Sequence, residues 1–372
     1  MKGTVIVILT LLIAALIASA QSPAPESSAT PESSAKEELQ NYFDSLVAEN
    51  KLSGVLLVAK DGVTVASKAA GVANKATGAP IDLNTKFNLG SMNKMFTSVA
   101  IAQLAQAGKL SFNDSIAKHL PDYPNKEAAE KITIHHLLTH TSGLGMYWNE
   151  KFRAQREKVL TVAAHLPLFA SDPLLFAPGE KFQYSNSGYM VLGAIIEKVS
   201  GQDYYSYVQE HVYKPAGMSD TGFYEPGKEI PNLAIGYSRM SPDGKPSEEV
   251  RDNTNTREVK GGPAGGGFST AQDLVKFKQA LLSYKLLDKE HTDLITTGKA
   301  DGPRGMGRYG YGFGDNTIGG KHSVGHNGGA PGIAANFEMF PESGYTAVTL
   351  MNSDPPTMMP IAREIRERIP AK

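Results

Sequence analysis

The chain of 372 residues has no cysteine. Disulfides, a thiol nucleophile, cysteine metal sites and a lipid-modified N-terminal cysteine are therefore excluded. It also lacks a basic excess: 37 Lys and Arg stand against 38 Asp and Glu, for a net charge of −1. Without a basic field to hold phosphate backbones, nucleic acid is a poor partner. Beyond residue 20 no apolar stretch is long enough to cross a bilayer. There is no internal repeat. A hydrophobic content of 41% over this length allows a large core, in one domain or two closely joined lobes.

The N-terminus reads as a targeting segment. Lys2 gives a short positive start, Val5 to Ile17 is almost wholly apolar, and Ala18-Ser19-Ala20 is a small-x-small cleavage site. Residues 1–20 are expected to be a signal peptide cut after Ala20, with an uncleaved membrane anchor as the alternative. Either way the expected location is outside the cytoplasm, secreted or periplasmic. Residues 21–35, rich in Ser, Pro, Ala and Glu, read as a disordered linker with nothing to bury. The folded domain is expected over 36–372.

Within it, Glu37 to Asn50 has helical spacing, with Leu39, Tyr42, Phe43, Leu46 and Val47 on one face. Strand-like runs follow at Gly54–Lys60 and Val63–Gly71. Asp61-Gly62 between them is a strong two-residue hairpin signal. Ser91 is expected to open a helix with Met92, Met95, Phe96, Val99 and Leu104 buried, stopped by Gly108. From Asn113 to about Lys260 strand signals fade, and helical stretches appear at Ile134–His140, Tyr189–Val199 and Tyr204–Tyr213. Thr270 with Asp273 predicts another helix start. Strands return at Ala334–Phe340 and Tyr345–Met351, before an amphipathic helix over Pro360–Ile369. This order predicts an α+β fold: an antiparallel sheet built from both ends (about 36–112 and 262–372), flanked by helices, with a helical lobe (about 113–261) inserted.

Three short elements carry candidate chemistry. Ser91-Met92-Asn93-Lys94 puts an amine one helical turn from a hydroxyl, within reach of its proton. A serine is a weak nucleophile until a base takes that proton. Lysine serves only if burial or nearby positive charge lowers its pKa. Free N–H groups at a helix start would favour the charge that develops on a carbonyl oxygen. Alone, the spacing is equally that of a helix cap and a solvated lysine. Tyr184-Ser185-Asn186 offers a phenol to share the serine proton and an amide to hold a substrate carbonyl; the plain alternative is a loop-edge Tyr and a turn-shaping Asn. His326-Asn327-Gly328 precedes the C-terminal strands. A strand edge free of bulk lets a substrate lie along it, and the Gly329 N–H can join that of Ser91 as a second oxyanion donor. The plain alternative is an exposed glycine-rich turn.

The three elements in this order resemble the penicillin-recognising serine hydrolases: class C β-lactamases, D-alanyl-D-alanine carboxypeptidases, and their esterase and D-aminopeptidase relatives. The segments LLTHTSGL (Leu137–Leu144), YSNSGYMVLGAIIEKVSG (Tyr184–Gly201) and GGGFSTAQDLVKF (Gly265–Phe277) are similar to family segments as well, so the resemblance covers roughly Lys36 to Asn352. It implies an antiparallel sheet joined to a helical lobe, with the site in the cleft between them. It implies acyl transfer on an ester, amide or lactam: Ser91 attacks, Lys94 coupled to Tyr184 moves the proton, and water releases the acyl-enzyme. Asn186 and His326 are implied in substrate binding, with Gly328 and Gly329 beside them. One departure matters. Many β-lactamases of this family have Lys where this chain has His326, and a mostly neutral His supplies no fixed charge for a substrate carboxylate. Carboxypeptidases, esterases and peptidases of the family also carry His there. The class A pattern of Ser-Asp-Asn and Lys-Thr-Gly is absent.

Other readings are weaker. His136 and His140 are four apart, but Leu137 stands where a zinc helix needs Glu, so no metal or other cofactor is expected and His140 is assigned structural hydrogen bonds. No Gly-x-Ser-x-Gly surrounds Ser91, and Gly261–Gly267 lacks the Lys-Ser/Thr of a phosphate loop. Tyr147, Trp148 and Phe152 are expected as packing; lining the cleft instead, they would favour an apolar acyl or alcohol group. The expected partner is a small-molecule or peptide substrate, and membrane contact is expected only through an uncleaved N-terminus. The leading function is a hydrolase of esterase or D-amino-acid peptidase type. The alternatives are a true β-lactamase or cell-wall carboxypeptidase, and a non-catalytic protein that binds cell-wall peptides.

Overall fold

A computed structural model describes Met1 and residues 31–224, 228–240, 245–302 and 307–371. Residues 2–20 of the expected signal peptide and 21–30 of the expected linker lie outside the described residues. The linker expectation is corrected at its far end. Helix α1 (Pro31–Ala48) begins before Ala35, which is buried. Proline is tolerated in a first turn, where the missing N–H has no helical partner to lose, and Glu32 suits the positive helix end.

The sheet has eight described strands: β1 (Gly54–Lys60), β2 (Val63–Ala70), β3 (Ala300–Asp301), β4 (Arg308–Tyr309), β5 (Gly314–Ile318), β6 (Lys321–Ala330), β7 (Ile333–Phe340) and β8 (Tyr345–Met351). They lie in the order β2-β1-β8-β7-β6-β5-β4-β3, every neighbour antiparallel. Gly54 pairs with Met351 and Lys60 with Tyr345, so the two ends of the chain meet in the middle of the sheet. The β1–β2 hairpin turns on Asp61 (φ 49°) and Gly62 (φ 84°), the positive φ pair of a two-residue turn.

Strands β1, β7 and β8 are buried on both faces. Leu56 and Val58 join Leu39 and Phe43 of α1, and Ile361 and Ile365 of the last helix, Met358–Arg368. Val55 and Leu57 face the other way, into the main core with Phe96 and Phe277. That second layer holds α2 (Asn93–Gln106) and the helix Ala271–Leu282, whose Thr270 cap accepts from the Asp273 N–H at 3.2 Å as expected.

Helix α2 departs from the expected stripe. Thr97, Ser98, Ala100, Ile101 and Ala102 are buried along with Met95, Phe96, Val99 and Leu104. The helix lies between the sheet and the middle section of the chain and has hardly any solvent face. The middle section is mostly helical and includes α3 (Asn186–Ser200). It also contains a hairpin, Tyr237–Met240 with Pro246–Asp252, that periodicity did not foretell. Those strands are largely exposed, so they carry little apolar alternation to read. The helix at Ile134 ends at Leu138, not His140, whose φ of 59° is left-handed. The stretch from Tyr204 is helical to Tyr213 as expected, as an α-helix to Val208 and a π-helix from Gln209.

Candidate active site

Ser91 sits on a 3-10 turn, Gly90–Met92, that leads into α2; the α-helix itself opens two residues later than expected. Gly90 takes φ 50°, and a Cβ there would come within 3.0 Å of the Gly329 nitrogen. The turn therefore lies directly against β6. Strand β5 pairs with β6 only as far as Gly325, so His326 to Ala330 keep one free edge beside Ser91. Gly328 is required by this approach: a Cβ would sit 1.9 Å from the Leu89 carbonyl oxygen and 3.1 Å from the Ser91 nitrogen.

Lys94 follows one turn later and is fully buried. Its Nζ donates to Asn186 Oδ1 at 2.7 Å and to the Ala264 carbonyl at 2.5 Å. It lies 4.7 Å from the Tyr184 ring centre and 5.3 Å from that of Tyr189. Burial pushes the Lys94 amine well below the ordinary lysine range, with the Glu258 carboxylate pulling the other way. Tyr184 lies within hydrogen-bonding reach of Ser91; burial raises its phenol, and that contact opposes the rise. An amine depressed by burial, a hydroxyl and a phenol are thus gathered at one spot, an arrangement able to move a proton off Ser91.

LLTHTSGL holds this spot from behind. The Gln183 N–H donates to the His140 carbonyl, and the Ser185 N–H donates to His140 Nδ1 at 3.1 Å. Ser185 Oγ reaches the Gly145 carbonyl and Tyr189 Oη the Leu138 carbonyl. His140 also packs 4.2 Å from Tyr184, centre to centre. Its neighbours are equally local: His135 Nδ1 meets Tyr311 Oη, and His136 Nδ1 accepts the Thr133 N–H in a capping box.

His326 is buried beside the site. Its Nδ1 contacts the Asn327 carbonyl at 2.5 Å, which can only accept, so Nδ1 carries the proton and Nε2 accepts from Tyr309 Oη at 2.9 Å. Burial, followed by the charge of Lys94, lowers His326 to about 3. The ring is neutral and both nitrogens are engaged within the protein.

A cavity of about 680 Å³ opens beside Ser91 and Asn186. Tyr147, Trp148 and Phe152 form its aromatic wall, so the cleft-lining alternative holds beside the expected packing. Tyr147 and Phe152 are buried and pack against each other, while Trp148 is partly exposed at the rim. Sequence reasoning missed two contributors. The glycine-rich Gly261–Gly267 supplies a wall: the Ala264 carbonyl takes Lys94, and the Gly267 N–H donates to Asn93 Oδ1. Glu258 lines the cavity as a buried carboxylate that accepts the Tyr147 hydroxyl. Nothing in its local sequence, Arg257-Glu258-Val259, separates it from a surface acid.

A family model described as Beta-lactamase matches residues 39–370. Penicillin-binding protein 4* of Bacillus subtilis (strain 168) is 28% identical over 347 residues, 87% of this chain and 73% of the relative. Esterase EstB of Burkholderia gladioli is 34% identical over 227 residues, 57% of this chain and 56% of the relative. The crystal structure of a penicillin binding protein from Bacillus halodurans superimposes with a TM-score of 0.76 at 30% identity, covering 87% of this chain and 98% of that one. Fold and matches together define a serine hydrolase. The chain belongs to the beta-lactamase family.

Proposed function

We propose that this protein hydrolyses an ester or a D-amino-acid amide or peptide bond through an acyl-enzyme on Ser91. The observation that carries this reading is the buried Lys94, held by Asn186 one turn from Ser91 and depressed toward its free-base form. In the proposed sequence, Ser91 Oγ bonds the substrate carbonyl carbon while its proton passes to Lys94 Nζ, with Tyr184 coupled to the transfer. The carbonyl electron pair moves onto oxygen, toward the N–H groups of Ser91 and Gly329. Lys94 and Tyr184 return the proton to the leaving group, and water then cleaves the ester to Ser91. Asn186 orients the substrate, which lies along the free edge of β6 at Gly328.

Two features favour this reading over an efficient β-lactamase. His326 is neutral and internally bonded, so it offers no fixed charge to a β-lactam carboxylate. The aromatic wall suits an apolar acyl or alcohol group. The test compares the purified protein and Ser91→Ala on a short-chain p-nitrophenyl ester, a D-amino-acid p-nitroanilide and a chromogenic cephalosporin. Fast cleavage of ester or anilide, with only a trace on the cephalosporin and all of it lost in the variant, is expected. Fast cephalosporin turnover would overturn the reading in favour of a β-lactamase. The absence of Ser91-dependent turnover on all three would favour a binding protein. Residence outside the cytoplasm is part of the proposal and rests on the composition of residues 1–20.

A further inference from the structure

Glu258 lies in the polar stretch between the exposed hairpin and the glycine-rich wall, yet it is buried at 8% exposure. Two hydrogen bonds fix it, and the absence of a side chain at Gly266 leaves it room. Its carboxylate accepts the Tyr147 hydroxyl, and its carbonyl accepts Arg257 Nη1 at 3.1 Å. Its Oε2 lies 3.1 Å from where a Cβ on Gly266 would stand, at a residue whose φ of 85° already calls for glycine. The Gly266 N–H in turn donates to the Gly90 carbonyl at 3.2 Å, one residue before Ser91. Among the described residues no cation lies within ion-pair distance of this carboxylate. It faces the cavity it shares with Ser91 and Asn186.

The groups around Lys94 differ in what charge they can carry. Tyr184, Tyr189 and Tyr309 are held as neutral phenols by burial. His140 and His326 are held as neutral imidazoles for the same reason. Around Glu258 stand Tyr147, also kept neutral by burial, and the Arg257 guanidinium, backed by Arg156 through the Arg257 carbonyl. The negative charge acting on Lys94 is that of Glu258. Burial raises this acid to about 7, so it is about half ionised at pH 7 and increasingly a carboxylate above it.

We propose that Glu258, clamped by Tyr147, is a positioning residue for catalysis that stabilises the ammonium ion formed when Lys94 takes the proton of Ser91. This rests on the Ser91 and Lys94 reading given above. The proton leaves Ser91 Oγ as that oxygen bonds the substrate carbon, and Lys94 Nζ becomes positive beside tyrosine and histidine rings that burial keeps neutral. A carboxylate fixed in place before the reaction lowers the energy of that new charge without having to reorganise. It has the part that the buried aspartate has beside the histidine of a serine protease, here served to a lysine.

The experiment is a pH profile of kcat/KM on a p-nitrophenyl ester for wild type, Glu258→Gln and Glu258→Asp, with fluorophosphonate labelling of wild type and Ser91→Ala in parallel. The amide of Glu258→Gln can still accept from Tyr147, so the clamp survives and the charge is removed. Loss of the charge makes Lys94 a weaker base. The plateau is expected to fall about tenfold, and the acid limb to move about one pH unit lower. Glu258→Asp keeps a carboxylate one methylene further back, and its limb should lie between the two. A purely structural Glu258 would lower the plateau and leave the limb in place; that result in folded Glu258→Gln overturns the proposal. Should Glu258→Gln fail to fold, a Glu258→Asp limb superimposed on wild type overturns it equally. Labelling that persists in Ser91→Ala overturns the Ser91 reading itself, so the two failures are told apart.

Discussion

Lys94 Nζ donates to Asn186 Oδ1 at 2.7 Å across 92 residues of sequence. One partner is the second residue of a helix packed on the sheet, and the other opens a helix of the middle section. This bond ties the two parts of the chain together at the spot where Ser91 is presented. It also holds the lysine amine beside the Tyr184 ring and away from solvent.

Removing either member of the Ser91–Lys94 pair should abolish turnover. Ser91→Ala and Lys94→Ala are each expected to lower kcat by roughly a thousandfold or more, with the double variant little worse than either single one, because the two act as a unit. Steady-state kinetics with circular dichroism as a fold control checks this. Near-normal rates in folded Ser91→Ala would remove the assignment.

His326 makes the stability of the fold depend on pH. The unfolded chain takes up a proton near 6.5, which the folded protein refuses until about 3. The unfolded state therefore binds more protons in that window, and stability falls as pH drops from about 6.5 toward 3. Between pH 7 and 4.5 this one residue should cost about 3 kcal/mol. Other buried groups, Glu258 among them, titrate in the same range with their own signs. The quantity to measure is thus the difference between wild type and His326→Gln in urea unfolding at the two pH values. A difference that does not change with pH would contradict the burial argument.

Gly328→Ala should separate catalysis from folding. The added Cβ lands on the Leu89 carbonyl and next to the Ser91 nitrogen, so β6 must move off the Ser91 turn. Overpacking of this kind costs about 1–3 kcal/mol. A shift of the order of 1 Å at the reacting atoms costs about a hundredfold in rate. We expect a modest fall in Tm and a large fall in kcat; an unchanged kcat would show that the oxyanion side does not involve this edge.

Trp148→Ala probes the aromatic wall. The side chain is partly exposed at the rim, so the fold should tolerate its loss. KM for a p-nitrophenyl hexanoate should rise about tenfold as apolar contact is lost, while the acetate ester changes little. Equal effects on both chain lengths would place the acyl group elsewhere.

Much of this was legible in the sequence because it is local. The Asp61-Gly62 hairpin, the Thr270 cap and the strands expected at Ala334–Phe340 and Tyr345–Met351 follow from turn and cap chemistry within a few residues. Ser91 and Lys94 are close because they lie one turn apart, and Asn186 is recognisable from its tripeptide. Less legible was the Tyr237–Asp252 hairpin, whose exposed strands carry no apolar period. The same holds for the all-round burial of α2, because periodicity reports one buried face and cannot count the layers packed on a helix. Gly261–Gly267 looked like a failed phosphate loop, yet its role is to bring backbone carbonyls to Lys94 and Thr97.

The sequence by itself determined the family, the α+β plan and which short elements could carry chemistry, since those depend on residue type and near spacing. Tertiary structure alone decided the charge states. Lys94 is depressed, His326 is neutral with both nitrogens occupied, and Glu258 is a buried acid near neutrality, all because segments far apart in the chain exclude water from them together. Desolvation acts through whatever surrounds a group in space. A linear sequence names the groups but leaves open which of them lose their water.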